Sequence, residues 1–173
     1  MKLLNRLRVV FNNDAARAVK ASGKAATEPA SERRKNRRVD ARKGTRVLII
    51  DDSPKVLTYL KKVFASAGYV PLIAGNAERG LNIARSQHPD LVVMDVILPG
   101  MDGFATLRHI RRDPVVRDLP VIMMSGTEQA SEQIYVKRIG ADGFIRKPFS
   151  RFELFSRIEP MLDQDRVPRR TRA

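Results

Sequence analysis

Five polar residues stand directly behind short apolar runs. Asp51 and Asp52 follow Val47-Leu48-Ile49-Ile50, and Asp95 follows Leu91-Val92-Val93-Met94. Ser125 follows Pro120-Val121-Ile122-Met123-Met124, and Lys147 follows the run from Asp142 to Arg146. Each has an ordinary reading alone: an acidic pair after a strand is a solvated turn, a Ser is a helix cap, a Lys before Pro is a surface residue. Together they are three carboxylates, one hydroxyl and one ammonium. Three carboxylates in one place repel by about 4 kcal/mol per pair at ~4 Å and an effective dielectric of about 20. One divalent cation plus the ammonium matches their charge. Mg²⁺ suits such a set because it is hard, takes oxygen ligands and needs few carboxylates. An ionised carboxylate beside a metal and an ammonium is a nucleophile toward phosphorus, with charge on the phosphoryl oxygens stabilised by both cations.

The elements between these residues decide whether they meet. Three of the runs, 47–50, 91–94 and 120–124, are continuous and apolar; Asp142 to Arg146 reads as a further short strand, and Val70 to Ala74 adds another. Between them lie amphipathic stretches. Residues 53–67 place Val56, Leu57, Leu60, Val63 and Phe64 on one face, with Ser53 as N-cap, Pro54 at the first helical position and Gly68 as terminator. Further helices are expected at about 76–86, after a loop from Leu98 to Gly103 as far as about Arg112, near 130–138 and at about 150–162. Continuous apolar strands alternating with amphipathic helices predict an α/β fold, a doubly wound five-stranded parallel sheet with helices on both faces. In such sheets the working groups sit beyond the carboxyl ends of the strands, which is where all five polar residues fall.

The chain from about 46 to 162 resembles the receiver domain of bacterial two-component response regulators. The stretches that carry the resemblance are Val47–Ser53 (V-L-I-I-D-D-S), Met94–Gly103 (M-D-V-I-L-P-G-M-D-G), Val121–Gly126 (V-I-M-M-S-G) and Gly140–Phe149 (G-A-D-G-F-I-R-K-P-F). The resemblance implies a flavodoxin-like sheet of order 2-1-3-4-5 and assigns roles by position. Asp95 would be the phosphoacceptor, served by a histidine kinase. Asp51 and Asp52 would hold Mg²⁺ with Asp95 and the backbone carbonyl of Ile97. Ser125 would be the switch hydroxyl, Lys147 the phosphoryl-binding cation and Phe144 the switch aromatic. Pro148 would follow a cis bond. The output face would be the 130–138 helix, the fifth strand and the final helix, meeting a downstream effector. The strings around Ser125 and Lys147 are similar to stand-alone regulators of the type IV pilus (twitching motility) chemosensory group. Two positions beyond Asp95 stands Ile97, an apolar side chain on the path of attacking water. It either slows phosphoryl hydrolysis or only packs. A dedicated Asp-nucleophile hydrolase would resemble D-x-D, and Asp95-Val96-Ile97 lacks the second acid, so the expectation is a switch and not a dedicated enzyme.

Composition sets the outer bounds. The 173 residues contain no Cys and only two His, which excludes disulfides, thiolate metal sites and a His-rich centre. Charge interrupts the N-terminus before a secretory apolar stretch can form, so a cytoplasmic protein is the expectation. The net charge of +14 is uneven: residues 1–44 hold 13 Lys+Arg and 4 Asp+Glu, whereas residues 45–162 hold 16 and 13. Three parts follow: a basic arm at 1–44, a receiver at 45–162 and a basic C-terminal tail at 163–173. In the arm, Leu3, Leu4, Leu7, Val10, Phe11, Ala15 and Ala18 recur at helical spacing, predicting a short amphipathic helix over about 3–18 before a flexible linker at 21–44. The arm reads either as a solubility feature or as a contact for an anionic partner. Nucleic acid, lipid and a cyclic dinucleotide all fit. Arg34 and Arg38 at R-x-x-x-R spacing resemble the cyclic-di-GMP loop of PilZ domains, though no companion D/N-x-S-x-x-G strand follows. Too few residues follow Lys147 for a helix-turn-helix, so the expected output is protein binding. The alternative is a phosphorylation-modulated binder of nucleic acid or a cyclic dinucleotide.

Overall fold

The computed structural model describes residues 40–126 and 138–170. The helix expected at 3–18 and nearly all of that at 130–138 lie outside the described residues. Five strands form one parallel sheet: β1 Arg46–Ile50, β2 Val70–Ala74, β3 Leu91–Asp95, β4 Val121–Ser125 and β5 Gly143–Arg146. Their order is β2-β1-β3-β4-β5. The central strands β1, β3 and β4 are apolar on both faces because helices cover both. Leu48, Ile50, Val92, Met94, Val121 and Met123 share one core cluster. The alternating residues Val47, Ile49, Val93 and Ile122 are equally buried and point to the other face.

Four described helices flank the sheet. They are α1 Pro54–Ala65, α2 Ala77–Gln87, α3 Gly103–Arg112 and α4 Arg151–Ile158. Buried α2 residues Ala77, Leu81 and Ala84 and α3 residues Leu107 and Ile110 join the first core cluster. On the second face, Phe64 of α1 meets Phe155 of α4 edge-on at 5.6 Å, and Tyr69 lies 5.2 Å from Phe64. Such edge-to-face rings add about 0.5–1.5 kcal/mol per pair beyond their buried area.

The helix starts follow their local chemistry. Asn76 caps α2 by accepting the Arg79 N–H, and Asp102 caps α3 by accepting the Ala105 N–H. Ser150 and Glu153 form a reciprocal capping box on α4. Ser53 does not cap with its side chain. Its backbone N–H is drawn instead to the Asp51 carboxylate, at 2.9 Å. Helix α4 stops at Ile158, short of the expected 162, where Glu159–Met161 tightens into a 3₁₀ turn. Pro160 has no N–H to continue the α-helical ladder.

Both ends of the described domain differ from the sequence expectation. Residues 40–44, read as the end of a flexible linker, are packed. Ala41 is buried, and the Arg42 N–H donates to the Arg166 carbonyl at 2.9 Å. Residues 163–170, read as part of a tail, double back on the domain. Leu162 and Pro168 form an antiparallel bridge, and Val167 is only 5% exposed. The Asp163 carboxylate accepts from the Val167 N–H and the Arg169 guanidinium. One buried valine and one turn-forming acid hold down a segment whose composition is otherwise that of a solvated tail.

Candidate functional site

The parallel sheet sends the carboxyl ends of β1, β3 and β4 to one edge, and Lys147 follows β5 there. Asp51 lies just beyond β1 and is fully buried, while Asp52 beside it is exposed. Asp95 is the last residue of β3, and Ser125 the last of β4, fully buried. The Lys147 ammonium lies 2.7 Å from one carboxylate oxygen of Asp51 and 2.7 Å from one of Asp95. The other Asp51 oxygen accepts the Ser53 N–H, and the other Asp95 oxygen accepts the Ile97 N–H at 3.3 Å. The Lys147–Pro148 peptide bond is cis.

These contacts leave the cluster short of positive charge. Carboxylate oxygens of Asp51, Asp52 and Asp95 lie within 4.8 Å of one another, and Lys147 supplies one cation for the three. Burial, joined by the neighbouring Asp51 charge, pushes the Asp95 carboxyl above its usual range despite the opposing pull of Lys147. Burial would lower Lys147, but its two carboxylate partners outweigh that and hold it above its ordinary value. Lys147 is therefore a permanent cation, and Asp95 is an acid whose ionised form is under strain. Three hard oxygen donors around surplus negative charge fit a divalent metal.

The remaining predicted residues fall around this cluster. Ile97 stands two residues past Asp95 with its side chain 47% exposed. Phe144 sits in β5, in register with Met123 of β4, and packs half-buried against the first core cluster. Two groups that the sequence reading passed over also bear on the site. Gly103, the first residue of α3, backs directly onto β3. A Cβ there would overlap the Asp95 carbonyl oxygen and come within 2.9 Å of the Val96 Cα. At the opposite edge, Arg111 donates to the carbonyls of Gly140, Arg117 and Leu119 and to the Asp142 carboxylate at 2.7 Å. Asp142 also accepts the Val121 N–H and reaches Arg170 at 3.3 Å. This network anchors the start of β5, and with it the strand leading to Lys147.

The family model for the response regulator receiver domain matches residues 47–159. The chain belongs to that family. Protein PilH of Pseudomonas aeruginosa is 33% identical over 117 residues, covering 68% of this chain and 97% of PilH. The DNA-binding dual master transcriptional regulator RpaA of Synechocystis is 35% identical over 124 residues, which is 71% of this chain and 52% of RpaA. The chain spans about half the length of several other curated relatives, among them regulators from Guillardia theta and Porphyridium aerugineum. Among solved structures, the Francisella response regulator 1452 receiver domain superposes with a TM-score of 0.62 at 28% identity, covering 66% of this chain and 93% of that one. Chemotaxis response regulator CheY4 of Vibrio cholerae gives 0.62 at 26% identity, covering 65% and 94%. The receiver is a phosphoaccepting signalling domain. Among the described residues, no helix is long and apolar enough to cross a membrane.

Proposed function

We propose that this receiver takes a phosphoryl group from a histidine kinase onto Asp95 and uses it to switch a protein-binding surface. The observation that carries the reading is the buried Lys147 ammonium held 2.7 Å from both Asp51 and Asp95. Asp51, Asp52, Asp95 and the Ile97 carbonyl would hold Mg²⁺, which supplies charge neutralisation on the phosphoryl oxygens when bound. A carboxylate oxygen of Asp95 attacks phosphorus in line. The P–O bond to Asp95 forms as the P–N bond to the donor imidazole breaks. Lys147, already placed against the acceptor oxygen, swings its ammonium to the incoming phosphoryl group. Ser125, at the end of the neighbouring strand, donates its hydroxyl to a phosphoryl oxygen. Its movement frees space that the Phe144 ring fills. Phe144 has no hydroxyl, so this switch works by packing and biases the face formed by residues 130–138, β5 and α4.

The likeness to PilH and to the pilus chemosensory regulators supports a place in twitching motility, with output through an effector protein. The excess of 13 Lys+Arg over 4 Asp+Glu in residues 1–44 supports an anionic partner for the arm. The alternative reading, a phosphorylation-modulated binder of nucleic acid or a cyclic dinucleotide, rests on that same arm. The test is incubation of the full chain with a small acyl phosphate and Mg²⁺, followed by intact mass. Wild type should gain one phosphoryl group, and Asp95→Asn should gain none. Equal labelling of the variant would refute the assignment.

A further inference from the structure

We propose that Gly80, in the middle of α2, is a positioning residue for the acidic cluster: its missing side chain makes room for Ile50, and Ile50 fixes Asp51, the residue that follows it. The inference rests on the reading of Asp51, Asp52 and Asp95 as the metal-holding set and names what governs their spacing. Helix α2 turns Ala77, Gly80, Leu81 and Ala84 toward the core at helical spacing. A glycine inside a helix is unfavourable beside alanine, since it orders more backbone freedom and buries no side chain. Here a close contact requires it. A Cβ at Gly80 would overlap Ile50 Cδ1 and would stand 3.0 Å from its Cγ1 and 3.5 Å from its Cγ2. Ile50 therefore fills the place that an alanine methyl would take. Turning χ2 would carry Cδ1 away but leave Cγ1 where it is, and χ1 of a β-branched side chain is stiff. Ile50 is fully buried in the cluster with Leu48, Ala74, Leu81 and Met94, where close packing leaves a displaced methyl little room.

An added methyl at position 80 would press on the part of β1 that the cluster depends on. Ile50 is the last residue of that strand. Asp51 follows, its backbone N–H donating to the Ala74 carbonyl at 3.2 Å. Its carboxylate is divided between the Lys147 ammonium and the Ser53 N–H. The same helix also meets the other side of the cluster. Glu78 Oε1 lies 3.8 Å from where a Gly100 Cβ would stand, in the loop that follows Asp95. The depth at which α2 sits on the sheet thus bears on the residue before Asp51 and on the loop after Asp95. Mg²⁺ demands near-ideal octahedral geometry, so a small displacement of one carboxylate registers in its affinity.

The experiment is calorimetric titration of the full chain with Mg²⁺, for wild type, Gly80→Ala, Ile50→Val and the double variant, with urea denaturation in EDTA alongside. Gly80→Ala adds one methyl to the contact and Ile50→Val removes the one it meets, so the double variant conserves volume. Gly80→Ala should weaken Mg²⁺ binding about tenfold. Ile50→Val alone should stay within about twofold of wild type, and the double variant should return to within about twofold of it. A packing role alone would shift the urea midpoint of Gly80→Ala and leave its Mg²⁺ affinity at the wild-type value, and that result would overturn the proposal. Binding in the double variant as weak as in Gly80→Ala would overturn it as well, because the Ile50 methyl would then not carry the effect. Wild type that binds no Mg²⁺ would remove the metal reading of the cluster and this inference with it, whereas Gly80→Ala binding like wild type would remove the inference alone.

Discussion

Replacing Asp95 by Asn should make the metal-free protein more stable, although it removes half of a buried ion pair. Three contributions decide the sign. Lys147 attracts the Asp95 carboxylate from 2.7 Å, worth about 6 kcal/mol at an effective dielectric of about 20. Asp51, within 4.8 Å, repels it by about 3.5 kcal/mol on the same scale. Asp52 is exposed, and water screens its repulsion to about 1 kcal/mol. The balance of roughly 1–2 kcal/mol in favour of ionised Asp95 is smaller than the several kcal/mol needed to desolvate a carboxylate that is only 8% exposed. The raised position of the Asp95 carboxyl has the same sign. Asp95→Asn should therefore gain on the order of 1–3 kcal/mol in EDTA, a rise of about 3–10 °C in Tm. The assay is urea denaturation followed by circular dichroism.

The pH dependence gives a second check on the same prediction. A carboxyl raised in the folded state binds its proton more tightly folded than unfolded. Its protonation therefore favours folding, and that contribution is lost as pH rises through the folded value. The gap between Asp95→Asn and wild type should be wide at neutral pH and close on acidification. Mg²⁺ should narrow it from the other side by stabilising wild type more. A variant less stable than wild type in EDTA would show that the Asp95–Lys147 pair is a structural bridge, and the strained-acid reasoning would fail.

Further outcomes follow from other parts of the site. Lys147→Met leaves Asp51 and Asp95 adjacent without their shared cation, so the metal-free protein should lose about 3–5 kcal/mol in denaturant titration, while Mg²⁺ binding persists. Ile97→Asn offers attacking water a hydrogen-bond partner and should speed aspartyl-phosphate decay severalfold; an unchanged decay would make Ile97 a packing residue only. Gly103→Ala should cost at least about 1–3 kcal/mol by forcing α3 off the Asp95 carbonyl, and should slow labelling of Asp95 by acyl phosphate because the acceptor shifts. Arg111→Met takes the guanidinium from the Leu119 carbonyl and leaves the Arg117 and Gly140 carbonyls and Asp142 with Arg170. It should cost on the order of 3 kcal/mol, and Arg170→Ala about 1 kcal/mol.

How legible these parts are in the sequence depends on how local their signals are. The strands at 46–50, 70–74 and 91–95 are announced by unbroken apolar runs, and the first and third of these runs end where a candidate site residue begins. Pro54 and Gly68 mark the ends of α1 for backbone reasons that need no tertiary contact. The Arg111–Asp142–Arg170 network has no such signal. Its members lie on α3, before β5 and after α4, and each alone looks like a solvated charge. The packing of residues 162–170 is equally silent, because one buried Val167 sets no periodicity. Ser53 fits the N-cap pattern, but the Asp51 carboxylate two residues away takes its N–H in a site whose electrostatics only the assembled strands create.

The two ends of the sheet handle buried charge in opposite ways. At the amino end, the Asp142 side chain is 1% exposed and matched by two guanidiniums and a backbone N–H. Burial lowers Arg111 to about 10, still far above neutral pH, so the network stays charged and satisfied. At the carboxyl end, three carboxylates share one ammonium. A uniformly satisfied domain would gain stability but would give a divalent cation and a phosphoryl group nothing to relieve. Surplus charge confined to one edge makes that edge respond to ligands, while the matched network at the other keeps β4 and β5 in register as it does so. The pairing has a consequence for variants. Asp142→Asn should lower global stability by weakening the anchor. Stability lost that way should be recovered in part by Asp95→Asn in the double variant, with nearly additive effects because the two sites lie at opposite ends of the strands. Strong non-additivity in denaturation would show instead that β5 transmits strain between them.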